Sequence, residues 1–152
     1  MGKKCTCRVA FVLACFSAAL TGCVTIASRD RIPAASPQSV VSAYLDTLNR
    51  RDLLAMTAYV TPNVEWYSVV NGERVLEIAD RESLSQMLSR YYAQYDRAQW
   101  TAERIETAGQ IVAVLERSQW TKNERVESRS GLAVYEVEAG RIRRITYFLQ
   151  SH

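Results

Sequence analysis

Apolar residues at Val40, Val41, Tyr44, Leu45 and Leu48 recur at the spacing of one helical face. Ser36 stands where an N-cap belongs and Pro37 at the first helical position, so the pattern predicts a helix beginning at Pro37. Asp52 caps a second, shorter helix running through Val60. Thr61-Pro62-Asn63 is expected to end it, because proline lacks an amide and restricts the residue before it. A strand follows through Val70, with Glu65 and Trp66 side by side at what would be a pocket wall and mouth. Asn71-Gly72 marks a two-residue hairpin, both residues tolerating positive φ, and 73–79 returns. Asp80 opens a third helix whose Leu84, Met87, Leu88, Tyr91, Tyr92 and Tyr95 share one face. Beyond it the period shortens to two. Strands at 100–107, 111–121, 125–137 and 141–149, joined by short turns, predict an antiparallel meander.

Three N-terminal helices packed on one face of a strongly bent, mainly antiparallel sheet make an α+β domain, a cone-shaped roll. The 152 residues suit a single domain, and 48% hydrophobic with 23% charged residues is the composition of a soluble globular chain. The formal charge of +3 changes meaning once it is traced. Lys3, Lys4 and Arg8 precede Cys23 with no acid among them, so the remainder is neutral and offers no electrostatic case for nucleic acid.

Those cations are followed by an apolar stretch at 9–20 and small residues before Cys23, the three parts of a secretory signal. The stretch is too short to span a bilayer, which takes about 20 residues. Leu20-Thr21-Gly22-Cys23 resembles the lipobox of bacterial lipoproteins. The resemblance implies removal of a signal peptide at 1–22, lipidation of Cys23, and a tether over 23–36 leading to a domain at 37–152. The membrane is then a partner through the lipid anchor, and Val24 rather than Asp after the cysteine favours the periplasmic side of an outer membrane. Met1-Gly2-Lys3-Lys4-Cys5-Thr6 also fits a loose myristoylation pattern, which leaves the apolar stretch unexplained. Cys5, Cys7 and Cys15 fall in the removed segment, so neither a disulfide framework nor a cysteine nucleophile is expected.

The order of elements, a tyrosine in the first helix and a last strand ending Ile145-Thr146-Tyr147-Phe148-Leu149 resemble the nuclear transport factor 2-like superfamily, with its SnoaL-like cyclases, ketosteroid isomerase and scytalone dehydratase. The resemblance implies three helices, a cone with an apolar pocket, and homodimers through the outer sheet face. Matched to the isomerase, Tyr44 falls on the oxyanion-binding tyrosine. The general base falls on Trp66, with Glu65 one residue earlier, and the second acid falls near Ala133. Dehydratase and cyclase relatives use His and Asp, and the sole histidine here is the terminal His152.

No metal cluster, triad or phosphate loop is evident, and no cofactor is expected. A general acid or base would have to be Tyr44, Glu65 or Glu116, although glutamates on an alternating strand are most simply solvated. Tyr44, Tyr59, Trp66, Tyr95, Tyr135 and Tyr147 are candidates to line a ligand pocket or to fill a core. Alternation on 111–121 puts Leu115, Arg117 and Gln119 on one face and Val114, Glu116, Ser118 and Trp120 on the other. With Leu115 taken inward, Arg117 follows it towards an anionic ligand, and Arg129 on the next strand either joins it or pairs in solvent with the neighbours of Glu127. Val114 and Trp120 are then left on the outer, dimerising face. The expectation is a non-catalytic, lipid-anchored module binding a small apolar or amphiphilic molecule or a partner segment. The alternatives are an enzyme of isomerase, dehydratase or cyclase type using Tyr44 and a glutamate, and a structural envelope protein that dimerises.

Overall fold

The computed structural model describes residues 35–122 and 124–149. The segments expected to be a signal peptide, lipobox and tether, except residues 35–36, lie outside the described residues, as does His152. Three helices, α1 (Pro37–Asn49), α2 (Leu53–Tyr59) and α3 (Arg81–Gln94), accompany six strands, β1 (Val60–Val70), β2 (Glu73–Ile78), β3 (Asp96–Ala108), β4 (Ile111–Lys122), β5 (Arg125–Glu138) and β6 (Arg141–Leu149). The third helix therefore follows the β1–β2 hairpin and is not part of an N-terminal helical block.

All three expected caps form. Ser36 Oγ accepts from the Ser39 amide at 3.1 Å, Asp52 Oδ1 from Ala55 at 2.9 Å and Asp80 Oδ1 from Ser83 at 2.7 Å. The hydrogen bonds at Asp80 also hold its carboxyl below the usual range. The α1 face reads as the periodicity required, with Val40, Val41, Tyr44, Leu45 and Leu48 buried. Each such side chain contributes about 1.5–3 kcal/mol of burial, which is what seats a 13-residue helix on the sheet. Asn49 at its end grips β3 twice, its Nδ2 donating to the Trp100 carbonyl (2.8 Å) and its Oδ1 accepting from the Trp100 amide (2.7 Å). The Tyr92 hydroxyl of α3 donates at 2.9 Å to the Leu48 carbonyl, which also accepts from the Arg51 amide at 2.9 Å.

The strand order is β2-β1-β6-β5-β4-β3. The meander β3 to β6 is antiparallel as expected, while β1 runs parallel to β6, so the sheet is mixed. Thr61-Pro62-Asn63 is not a turn but lies inside β1. The missing proline amide shows instead as a break in the β1–β6 register between Val60 and Glu65. Strand β3 starts at Asp96, earlier than periodicity suggests, with two irregular steps in its pairing to β4.

Candidate functional site

Between α1, α3 and the concave sheet lies a cavity of about 450 Å³ lined by residues from all six strands, which requires the sheet to curl. The side chains that reach it are set by strand parity. On β4, Val112, Val114, Glu116 and Ser118 are buried, whereas Leu115 is half-buried and Arg117 exposed. The expected inward face was the wrong one: Leu115 and Arg117 point away from the cavity, and Arg117 pairs with Glu103 at 2.7 Å on the outer face. For the same reason Val114 belongs to the core and Trp120 to the cavity lining, not to an outer apolar face.

The inward turn of β4 buries a carboxyl group. Glu116 is 2% exposed. Gly131 stands opposite it on β5, and Ala133 is the next inward residue, so neither fills the space above it. Tyr135 extends across that space and donates its hydroxyl to Glu116 Oε1. Burial raises the Glu116 carboxyl to about 7, the Tyr135 hydrogen bond opposing this only in part. The Tyr135 phenol is driven well above its ordinary value by burial and by the Glu116 charge.

Tyr44 reaches the same spot from α1. Its ring meets that of Tyr135 edge-on, centroids 6.1 Å apart at 65°. Its hydroxyl is buried, lines the cavity and has no hydrogen-bond partner. Burial first and Glu116 second raise its pKa far above the phenol range, so it remains a neutral donor. Unpartnered buried hydroxyls are rare because each costs on the order of 1–3 kcal/mol, and this one stands within the field of a buried acid at the cavity wall.

Tyr147 completes the floor from β6. Its ring lies over Gly131, where an added Cβ would be 2.7 Å from Cε1 and 3.0 Å from Cζ, so glycine is what lets the ring lie there. Burial and then the Glu116 charge raise its pKa to about 12, against the influence of Ser118 and Arg129. Towards the rim stand Trp66, 6.4 Å from Tyr147 by ring centroid, and an aromatic wall of Tyr91, Tyr95, Trp100 and Trp120. Tyr91 lies 4.8 Å from Tyr95 and 5.5 Å from Trp100, and Tyr95 lies 5.8 Å from Trp120.

Of the residues expected in a pocket, Tyr44, Trp66, Tyr95, Arg129, Tyr135 and Tyr147 line the cavity, and Leu115, Arg117 and Tyr59 do not. Tyr59 packs at the edge of the core. Glu65 faces away from Trp66 as β1 alternates and is held by Arg144, Oε2 to Nε 2.8 Å and to Nη2 2.7 Å, which keeps its carboxyl below the usual range. It is an ion-pair partner, not a cavity acid. Among the described residues no three His, Cys, Asp or Glu side chains converge as a metal site would require. Reading from sequence missed Tyr91, Trp100, Ser118 and Trp120 as lining, and Gly131 as a spacer.

A mixed six-strand sheet rolled around helices, with a polar cluster at the floor of an aromatic cavity, defines an α+β pocket protein of nuclear transport factor 2-like fold. The SnoaL-like domain family matches residues 41–145, and the chain belongs to that family. No curated protein matches it in sequence. Among solved structures it is similar to an LEH-like epoxide hydrolase from M. tuberculosis, at 19% identity and a TM-score of 0.64, over 75% of this chain and 82% of that one. A Catenulispora acidiphila protein of ketosteroid isomerase-like fold, in complex with trimethylamine, is similar at 12% identity and a TM-score of 0.63, covering 73% and 85%. A candidate polyketide cyclase from Xanthomonas campestris is similar at 25% identity and a TM-score of 0.60, covering 75% and 90%.

Proposed function

We propose that the domain is an acid–base enzyme acting on a small, largely apolar substrate with one oxygen function. Glu116 moves the proton and Tyr44 holds the oxygen. The reading rests on one observation: a buried carboxyl at the cavity floor beside a phenol with no partner. The expectation of a non-catalytic module takes the strand glutamates to be solvated, and the burial of Glu116 removes that ground. A carboxyl near 7 divides between acid and base at neutral pH, where proton transfer in either direction is most effective. The substrate oxygen would take the hydrogen bond that the Tyr44 hydroxyl lacks, so charge developing on it meets a donor already in position. Tyr135 orients the carboxyl and limits its basicity. The isomerase-like base position on β1 is Trp66, so the working acid comes from β4 instead.

Infrared difference spectra across pH should show a protonated carboxyl band that disappears near pH 7 and is absent in Glu116→Gln. A band disappearing near pH 4.5 would sink the proposal. Small cyclic ketones incubated in deuterium oxide should exchange protons next to the carbonyl, and Glu116→Gln should slow this by about 100-fold or more.

We also propose that the Leu20-Thr21-Gly22-Cys23 quartet anchors this enzyme to a bacterial envelope membrane, the periplasmic face of an outer membrane being favoured by Val24. What supports it is the signal-like order of charge, apolar stretch and cysteine. Cys23→Ser should release the protein from membranes and abolish incorporation of labelled palmitate. Label retained by the variant would refute the assignment.

A further inference from the structure

We propose that Arg129 anchors an anionic group of the ligand, so that the cavity selects ring-bearing organic anions. The inference rests on the cavity being the ligand site described above, but not on any reaction occurring there. Arg129 is the cavity's one basic residue among the described lining residues. It pairs across the sheet with Ser118, one inward position beyond the Glu116–Gly131 pair, which places it about 7 Å along the strand from the acid, towards the rim. The Ser118 hydroxyl donates to the Arg129 carbonyl at 3.2 Å and steadies this stretch of β5.

Among the described residues the guanidinium has no carboxylate within 4.0 Å, and Glu116, Glu127 and Glu77, which line or flank the cavity, accept from other donors. Glu116 accepts from Tyr135, and Glu127 accepts from the Trp120 indole at 3.0 Å. Glu77 accepts from Ser68 at 2.5 Å and sits on β2, three strands from β5, or about 14 Å along the sheet. Arginines on the outer face are placed differently: Arg117, Arg143 and Arg144 each have a glutamate. Arg129 is thus a fork of donors at the rim with its charge unspent. Its field also reaches the Tyr91 and Tyr147 hydroxyls, both protonated at neutral pH and so able to donate to the same anion. The Tyr91–Trp100 and Tyr95–Trp120 pairs beside it offer flat surfaces suited to a ring.

Two dyes of one scaffold test this, 8-anilinonaphthalene-1-sulfonate and its uncharged analogue N-phenyl-1-naphthylamine. All three tryptophans line the cavity, so binding is followed by energy transfer from them. Arg129→Gln should weaken the sulfonate about tenfold and leave the neutral dye within about twofold, and Arg129→Lys should recover part of the loss. Arg129 is exposed, so thermal midpoints should not move. Equal effects on the two dyes, no effect on either, or failure of wild-type protein to bind the sulfonate would each overturn the anion assignment. A Glu116 that titrates normally while the dye preference persists would remove the catalytic reading and leave this one standing.

Discussion

The Tyr44 hydroxyl makes the site's function separable from its stability. A buried hydroxyl usually returns part of its desolvation cost through a hydrogen bond, and this one does not. Tyr44→Phe should therefore be neutral or stabilising by up to about 1 kcal/mol in urea titrations, while proton exchange in the bound ketone falls about 10- to 100-fold. A tyrosine serving only the core would give the same stability and leave the proton exchange unchanged. Gly131 acts on the neighbouring side chain. It gives Tyr147 room over the backbone, so that the phenol ring and not a Cβ stands across from Glu116. Glycine inside a strand normally costs stability, and here it seats that ring on the cavity floor.

At the level of the elements, what could be read in advance depended on whether one signal or two competed. Helices α1 and α3 were legible because apolar spacing and N-cap agree at each, and Asn71-Gly72 was legible because few other sequences turn so tightly. The face of β4 was not legible, because both faces are apolar near its start. Val112 and Val114 alternate with Ile111, Ala113 and Leu115, and local pattern alone does not choose between them. The sheet's outer side keeps Ile111 at 47% exposure and Leu132 at 41%, so apolar character did not mark the inside. A one-residue slip in that choice exchanged Arg117 for Glu116 and hid the carboxyl that defines the site. Pro62 misled in another way: loss of an amide ends a helix, but at a strand's start it only interrupts pairing, as the Val60–Glu65 gap shows. Arg129 lines the cavity for a reason other than the expected one: it pairs with Ser118, on the face of Glu116, and so lies on the opposite side of the sheet from Arg117.

The whole molecule carries the cost of holding an acid inside its core, and that cost depends on pH. Tyr44 from α1, Tyr135 from β5 and Tyr147 from β6 face Glu116, and none supplies a positive charge to favour its ionised form. The folded carboxyl titrates near 7 and the unfolded one near its ordinary 4.5, so the folded state holds its proton more firmly. Stability from this group is fully present below about pH 4.5 and is lost as pH rises through 7, by on the order of 3 kcal/mol in all. Glu65 and Asp80, whose folded values are lowered, act oppositely and only in more acid solution, where protonation removes what they contribute. The protein should therefore be most stable near pH 5, and its urea midpoint should fall between pH 5 and pH 8. Glu116→Gln keeps the shape without the charge, so its midpoint should stay level over that window and exceed the wild type at pH 8. Taking the difference between the two proteins cancels His152 and the chain termini, which both share. Parallel curves would mean that Glu116 titrates as a solvated carboxylate, and the poised acid at the cavity floor would be lost with it.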